Sequence, residues 1–485
     1  MKKILLLLLV AQSIFAQSDQ VLTQETVQTK TIQGHIYFLA ADELKGRNTP
    51  SEELNIAARY LETSLIRYGV QSIPDLDGYF QKVPLSNPPE SGFFHVEDAT
   101  MSLNEDFIVV NGQNTNLDAS LVFIGQGTTE DFKKVDLQDK IAVTWAGYEG
   151  ESDPKNWFLS GGDKRKLAEA AGAVGLVELY NSQRLPWNFL VRRMGQSQIM
   201  MEEVATSLPH IWLNASKTTV IKKLKAAENV KGQLQLNLPK NTNPDTYNVV
   251  GMVEGTDPVL KNEYIIYSAH YDHVGIGRAD AAGDTIYNGA RDNAVGVVTV
   301  LSAAENIAKY PTKRSAIFLF FTGEEKGLLG SNWYANHPPI PLEKVVYCFN
   351  SDNGGYNDTS IATIVGLTRT TAQANIEKAC TTFGLEAIED PAREQGLFDR
   401  SDNVNFAKKG VPAPTFSMGF RAFDEEIGKY YHQPGDHADN LDYTYLTKFF
   451  KSYVYSCRLI ANDTTTPFWS VGDKYYPIGK QLYKE

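Results

Sequence analysis

The chain has 485 residues, of which 42% are hydrophobic and 21% are charged, so it is long enough for about two to three globular domains with buried cores. Its formal net charge is -12. Binding to nucleic acid or to anionic membranes needs clustered Lys and Arg, so this acidic balance argues against both kinds of partner.

The first sixteen residues have the pattern of a secretory signal peptide. Lys2 and Lys3 precede an apolar run from Ile4 to Val10, and a small residue follows at Ala16. The run is shorter than the ~20 apolar residues that span a bilayer, and no cysteine for lipid attachment follows it. We expect cleavage after Ala16 and a secreted or periplasmic mature protein with no membrane anchor.

The chain contains only three cysteines, Cys348, Cys380 and Cys457, and none lies in a C-x-x-C pattern. Cys348 lies in an apolar run, which predicts a buried free thiol. A disulfide between Cys380 and Cys457 is left open by the sequence. The fold is not expected to depend on disulfides.

Residues 17–95 are predicted to mix helices and loops as the first part of a larger domain. Apolar residues over 51–68 recur at the spacing of one helix face. Ser51 is suited to the N-cap of this helix, and Gly69 is suited to its C-terminal end.

Residues 96–242 have a different texture and predict a small β-rich module. Short strands are expected over 119–124 and 140–145, followed by a helix over 164–171 that turns through glycine into another strand. The polar stretch 239–244 is the best candidate for a linker.

Residues 243–485 alternate strands with helices. Strands are expected over 264–269, 316–321 and 345–349, and a helix over 295–308 lies between the first two. Such alternation is typical of parallel strands joined by crossover helices. The sequence therefore predicts an α/β fold with a mixed, largely parallel central sheet and flanking helices.

His270 directly follows the first of these strands, where an open α/β sheet places its functional residues. Asp272, two residues later, is close enough to orient a histidine ligand through the other ring nitrogen, or to form hydrogen bonds nearby. An H-x-D pair alone is weak evidence, because most such pairs are polar surface residues.

Asp292 lies just before the predicted helix that starts near residue 295. One interpretation is a helix N-cap, a position that favours Asp. The other is a carboxylate that bridges two metal ions about 3.5–4 Å apart.

Two further strands are followed by acids. Glu324 and Glu325 come after the strand 316–321 and a glycine turn, and Asp352 follows the strand 345–349. Adjacent acids in a loop are usually only solvated. Two carboxylates at a sheet edge can instead divide the work, one binding metal and one moving protons.

His432 lies in a loop rich in turn-forming residues and would supply a second imidazole. Alone, a loop histidine is more often a surface residue than a ligand. Together with His270, Asp292, Asp352 and one of the two adjacent glutamates it completes a ligand set without thiolate. Such a set favours Zn²⁺, with Co²⁺ or Mn²⁺ as alternatives.

The ordered motifs resemble the M28 family of zinc peptidases over residues 245–460. The segment Phe38 to Arg47 is similar to the N-terminal segment of that family, and residues 96–242 resemble the protease-associated domain that many members carry as an insertion. The motifs that carry the resemblance are His270-Tyr271-Asp272-His273, Asp292-Asn293, Gly323-Glu324-Glu325, Ser351-Asp352 and Tyr431-His432-Gln433-Pro434.

The resemblance implies a zinc exopeptidase-like fold and a role for each site residue. His270 and Asp352 would bind one Zn²⁺, Glu325 and His432 the other, and Asp292 both. Glu324 would be the general base, with Asp272 supporting His270. Tyr431 and Asp402 would lie near the substrate.

The resemblance also implies that the substrate is a peptide and that the activity is that of an aminopeptidase. A glutamate-releasing carboxypeptidase is the main alternative, and it would need a cationic pocket from Lys164-Arg165 or Arg192-Arg193. A glutaminyl cyclase with a single metal ion is disfavoured by the complete two-metal ligand set. A binding protein without catalysis is disfavoured for the same reason.

Overall fold

A computed structural model of the chain describes residues 17–150, 154–182, 185–194, 199–202, 208–216, 218–226, 230–240 and 244–484. The predicted signal peptide and residues 241–243 of the predicted linker lie outside the described residues. The chain divides into two compact units, Met1–Gln81 with Tyr247–Glu485, and Lys82–Thr246. Among the residues described, no helix has both the length and the apolar composition to cross a bilayer.

The first unit is built on an eight-stranded sheet that is mixed and largely parallel, as predicted. The three strands that were predicted from their apolar runs are parallel neighbours in the middle of this sheet. Antiparallel pairs occur towards both edges. In spatial order the strands are Phe80–Val83, Thr246–Val253, Ser315–Phe321, Tyr264–His270, Val345–Ser351, Thr415–Met418, Ile361–Val365 and Glu386–Glu389.

Both helices that the sequence predicts in this unit are present. In Glu52–Tyr68, the Ser51 hydroxyl accepts a hydrogen bond from the Leu54 N–H at 3.0 Å, and Gly69 ends the helix with φ of 83°. The helix predicted over 295–308 is also confirmed. The α-helices of the unit are Asp19–Thr26, Thr29–Leu39, Glu52–Tyr68, Gly296–Lys309, Leu329–Asn336, Gln373–Thr382, Asn403–Ala407, Glu425–Gly428, Tyr443–Asn462 and Tyr476–Tyr483.

The middle of the sheet is buried on both faces. Ile265 and Tyr267 pack into one apolar cluster with Val298 of the helix Gly296–Lys309, whereas Ile266 points to a second cluster on the other face. Alternate residues of a strand face opposite sides of a sheet, so both sets must be apolar here. This is why the strands read as continuous apolar runs and why the polar residues at their ends stand out.

The second unit contains its own eight-stranded sheet. It starts at Lys82 rather than at the predicted residue 96, because Ser91–Val96 pairs with Lys231–Asn237. Its similarity to a protease-associated domain stays a prediction. The strands in spatial order are Ala99–Ser102, Ser91–Val96, Lys231–Asn237, Thr115–Phe123, Ile141–Trp145, Gly175–Tyr180, His210–Asn214 and Phe107–Asn111, and the α-helices are Thr129–Lys133, Pro154–Ala170, Trp187–Met194 and Thr218–Ala226.

Short two-stranded pairings complete the strand set. The pairs are Gly275–Ile276 with Ile286–Tyr287, and Leu85–Ser86 with Met200–Met201.

The three cysteines are all buried free thiols. The disulfide that the sequence left open between Cys380 and Cys457 is not formed. Burial raises the pKa of Cys380 to about 12, so the thiol form is strongly favoured.

The buried side chain of His35 makes the free energy of unfolding depend on pH. His35 is 5% exposed, and its two ring nitrogens lie 2.8 Å from the hydroxyls of Tyr60 and Tyr68. Burial, together with the charge of Arg67, lowers the pKa of His35 to about 4. The unfolded chain, with a histidine pKa near ~6.5, therefore binds this proton first as the pH falls.

We predict that this residue removes about 3 kcal/mol of the free energy of unfolding as the pH falls from ~6.5 to ~4. Urea unfolding of the parent protein and of His35→Phe across this range measures the effect. The variant should lose less stability over the window than the parent does. Equal slopes for the two proteins would contradict the prediction.

Candidate metal centre

Three neighbouring parallel strands bring polar side chains to one edge of the central sheet. One strand ends at His270, the next is followed directly by Asp352, and the third is followed by a short turn that leads to Glu324 and Glu325. The carboxyl ends of parallel strands meet at the same edge, where open α/β sheets bind their ligands. The strand order therefore places these residues together.

Asp292 lies between two pairs of side chains. Its Oδ1 is 3.3 Å from Nε2 of His270, which in turn lies 3.3 Å from Oδ1 of Asp352. Its Oδ2 is 3.1 Å from Nε2 of His432, which lies 3.1 Å from Oε1 of Glu325. Each oxygen of Asp292 thus faces one imidazole and one further carboxylate. All five residues predicted as ligands are brought together.

Asp292 does not cap the helix that follows it, so the N-cap interpretation is wrong. Its backbone is not helical, and the helix Gly296–Lys309 begins only after an irregular turn over Ala290–Val295. Asn293 takes the capping role, because its Oδ1 accepts a hydrogen bond from the Gly296 N–H at 3.1 Å. The carboxylate of Asp292 is left for the two histidines.

Asp436 fixes the turn that carries Asp292. Its Oδ2 accepts hydrogen bonds from the backbone N–H groups of Arg291 at 2.8 Å and of Asp292 at 3.3 Å. Its Oδ1 accepts another from the Arg291 guanidinium at 2.9 Å. Because the Asp436 carboxylate is buried and paired, it holds the backbone of the turn rigidly.

Arg47 joins the loop after His270 to the segment before Asp292. Its buried guanidinium donates to main-chain carbonyls only: Tyr271 at 2.9 Å, Asn288 at 2.7 Å, Gly289 at 3.0 Å, and Leu39. Burial lowers the pKa of Arg47 to about 10 although nearby carboxylates favour its charge. It therefore stays a cation at neutral pH and places a positive charge beneath the acidic cluster.

Asp272 orients His270 through its backbone and not through its carboxylate. Nδ1 of His270 lies 3.2 Å from the main-chain oxygen of Asp272 but 3.8 Å from Oδ1. That Oδ1 instead accepts the backbone N–H of Glu324 at 3.1 Å. The Asp272 carboxylate, whose pKa burial raises to about 6, thus holds the loop of the predicted general base.

The clustered carboxylates draw positive charge to the site. Burial alone would lower the pKa of His270, but Asp352 and Glu324 raise it well above its usual range. Burial would likewise lower the pKa of His432, but hydrogen bonds to Asp292 and Glu325 raise it to about 10. Burial would raise the pKa of Asp292, yet hydrogen bonds from both histidines hold it well below its usual range. Divalent cations can supply this positive charge in place of protons.

The geometry fits two divalent cations. Ligand atoms at 2.0–2.2 Å from a tetrahedral Zn²⁺ lie about 3.3 Å from one another. The His270 and His432 nitrogens lie 3.1–3.3 Å from their carboxylate partners. Two groups of ligand atoms result, one formed by His270, Asp292 and Asp352, and the other containing Asp292, Glu325 and His432.

A third imidazole, His273, also belongs to the second group, and sequence reasoning gave it no role. Its Nδ1 lies 2.8 Å from Oε1 of Glu325, and the side chain is fully buried. The available signal was its spacing, since it is the second histidine of the H-x-D-H motif that begins at His270.

The two residues predicted near the substrate lie in different environments. Tyr431 lines the pocket beside the centre, and its ring stacks on His432 with centroids 4.2 Å apart. Asp402 is fully buried and does not line this pocket, although its neighbours Arg400 and Ser401 do. A position of Asp402 near the substrate stays a prediction. Burial raises the pKa of Asp402 to about 7.

Comparison with known proteins connects this site to a family. Residues 248–456, which contain all five predicted ligands, match Peptidase family M28. The match covers the part of the chain that holds the candidate metal centre.

Proteins of similar sequence include named aminopeptidases. A probable leucine aminopeptidase 2 of Aspergillus oryzae is 26% identical over 256 residues, or 47% of each chain. Aminopeptidase YwaD of Bacillus subtilis is 25% identical over 334 residues, which cover 68% of this chain and 64% of YwaD. The chain thus spans about half to two thirds of these curated relatives.

Among solved structures, the fold is similar to that of an aminopeptidase from Aneurinibacillus sp. strain AM-1. The TM-score is 0.53 at 19% sequence identity, over 93% of this chain and 97% of the other. At this identity the likeness establishes the shared fold.

We predict that Asp292→Ala abolishes tight binding of both metal ions, because both groups lose a ligand oxygen. The affinity should fall by more than about 100-fold, beyond the cost of losing an outer carboxylate. Elemental analysis after dialysis measures the metal content. Asp439→Ala, which removes an exposed carboxylate from the loop that follows His432, should retain the parent content. Full metal content in Asp292→Ala would contradict the bridging role.

Proposed function

We propose that the protein is a secreted or periplasmic exopeptidase dependent on two Zn²⁺ ions, and that it is an aminopeptidase. The observation that carries the proposal is the Asp292 carboxylate shared between two imidazole–carboxylate pairs at the edge of an open pocket. The match of residues 248–456 to Peptidase family M28 and the names of the aminopeptidase relatives support it. The signal-like N-terminal sequence supports export.

The residues of the two groups would each hold one ion. His270, Asp292 and Asp352 suit the first, and Asp292 with Glu325 and His432 suits the second. When bound, two such ions would polarise a substrate carbonyl and lower the pKa of a water molecule bound to them, so that it loses a proton near neutral pH. Carboxylates with imidazoles favour Zn²⁺, while Co²⁺ and Mn²⁺ accept the same donors.

Glu324 is the residue that moves the proton. It lines the pocket, and its backbone N–H is fixed by Asp272. Burial, with the charges of Asp352 and Asp402, raises the pKa of Glu324 well above its usual range. A carboxylate with a raised pKa takes a proton from the attacking water and returns it to the leaving amine at neutral pH.

The pocket also offers an apolar wall for the substrate side chain. Val365, Leu397, Phe420 and Phe423 are among the residues that line it. Aromatic and aliphatic walls contribute binding through the apolar area that they bury. We therefore propose a preference for peptides with an apolar first residue.

Of the cationic residues expected for a carboxypeptidase, Lys164 is not accessible to a substrate. Lys164 is fully buried, pairs with Glu178 at 3.1 Å and donates to two main-chain carbonyls. Arg165 is partly buried, Arg192 is exposed, and the side chain of Arg193 lies outside the described residues. Lys164 is therefore occupied by partners within the second unit.

One observation keeps the carboxypeptidase as a second candidate. Arg400 lines the pocket, and its guanidinium has no hydrogen bond or ion pair within the part of the chain that the structure describes. A free guanidinium binds a carboxylate through two parallel hydrogen bonds. The terminus that the enzyme attacks is therefore the first property to measure.

We predict that Glu324→Gln retains both metal ions and lowers kcat by at least about 100-fold, because general-base catalysis contributes ~10²–10⁴-fold. Neighbouring Glu325→Gln should instead lose metal from one of the two groups. Turnover of an aminoacyl reporter and elemental analysis of the same samples separate the two effects. Normal turnover in Glu324→Gln would remove this residue as the base.

We also predict that the zinc-loaded mature protein shortens peptides one residue at a time from the amino end. Mass spectrometry of a mixed peptide pool should show apolar first residues leaving fastest. Loss from the carboxyl end would move the assignment to the carboxypeptidase and make Arg400→Met the next variant. Intact peptides would contradict exopeptidase activity.

A further inference from the structure

His273 is a buried imidazole at the metal centre that none of the predicted roles uses. Its side chain is fully buried, and within the described residues its Nε2 has no hydrogen-bond partner. Its Nδ1 faces Oε1 of Glu325, and its ring meets that of His432 edge to face with centroids 5.4 Å apart. An imidazole held in this way has one contact through which it can act.

The length of that contact distinguishes a hydrogen-bond donor from a metal ligand. The histidine nitrogens of His270 and His432 lie 3.1–3.3 Å from their carboxylate partners, close to the ~3.3 Å between two ligands of one tetrahedral ion. Nδ1 of His273 lies only 2.8 Å from Oε1 of Glu325, a typical charge-assisted hydrogen-bond length. Because a carboxylate only accepts, Nδ1 of His273 carries the proton.

The surrounding backbone fixes the imidazole in this position. The His273 N–H donates to the carbonyl of Arg47 at 3.1 Å, and Asn48 pairs with His273 in a short β-bridge. On the other side Gly289, with φ of 61°, lies so close that a Cβ there would be 2.6 Å from Cδ2 of the ring. The ring therefore packs closely against Gly289, a position where any side chain would displace it, while its Nδ1 faces Glu325.

We propose that His273 is a positioning residue of the metal centre, whose Nδ1–H holds the Glu325 carboxylate in place as a ligand beside His432. The inference rests on the proposed two-metal site and adds a residue to it. Ligand carboxylates and histidines are commonly oriented by such outer hydrogen bonds, and their loss costs about 10–100-fold in metal affinity. The effect should be confined to the group that contains Glu325.

The test uses three substitutions at this position and one elsewhere. Asn places an amide nitrogen on Cγ, where Nδ1 is attached, so His273→Asn keeps the donor. Gln places its amide one carbon further out, and Leu has none, so His273→Gln and His273→Leu lose the donor. His35→Leu is the matched control, because it removes another buried, hydrogen-bonded imidazole that belongs to neither ligand group.

Zinc affinities are measured on the full chain by calorimetry with a competing chelator, and Co²⁺ absorption spectra report the ligand field without any turnover. His273→Leu and His273→Gln should bind one ion as the parent does and the second about 10–100-fold more weakly. His273→Asn should stay within about threefold of the parent, and His35→Leu should match the parent for both ions. If the leucine variant does not fold, the Asn and Gln pair alone decides the question.

Two outcomes overturn the proposal. Parent-like binding of both ions in His273→Gln would show that the hydrogen bond is dispensable. Loss of the second ion in His273→Asn equal to that in His273→Gln would show that the imidazole acts in another way, as a direct ligand does. A parent protein that binds no Zn²⁺ would overturn the metal centre itself, and this result is distinguishable because it appears before any substitution is made.

Discussion

The main constraint on the structure of the first unit is that several carboxylates are buried close together at one edge of its sheet. Asp292, Glu325 and the neighbouring acids lie within a few ångströms of one another, where an unpaired charge would cost several kcal/mol. Histidines supply part of the compensation. The Arg47 guanidinium supplies more. Divalent cations would complete the compensation, and the same carboxylates and imidazoles are suitable ligands for them.

The precision of the centre comes from the elements on which its residues lie. His270 is the last residue of a strand buried on both faces, so the sheet fixes its backbone. Asp292 lies on an irregular turn, and there the side chains of Asp436 and Arg47 fix the backbone from both sides. A rigid strand end needs no such support, whereas a turn that must aim a carboxylate at two partners does.

Much of this could be predicted from the sequence because the signals are local. A run of apolar residues that ends at His270 or before Asp352 indicates both a buried strand and its functional end, and the helix 52–68 carries its own caps. The signals that failed depend on contacts remote in sequence. Asp272 uses its carbonyl for His270 because its carboxylate is engaged by the Glu324 N–H. No sequence pattern indicates which oxygen of Asp272 contacts His270.

The same limit explains the other differences. The start of the second unit at Lys82 follows from a pairing between strands about 140 residues apart, which composition does not report. The sequence does not indicate that Asp402 is buried while its neighbours Arg400 and Ser401 line the pocket. The sequence indicates no role for His273, because its partner Glu325 is 52 residues away.

The hydrogen bonds of Arg47 join parts of the chain that are translated at different times. Arg47 is translated long before Asn288 and Gly289, whose carbonyls it binds, and the whole of the second unit emerges in between. Until those later residues exist, the guanidinium has only Leu39 among its eventual partners. Contacts of such long sequence separation form slowly and late. Because His432 is translated later still, the nascent chain can assemble the full cluster of candidate metal ligands only near the end of translation.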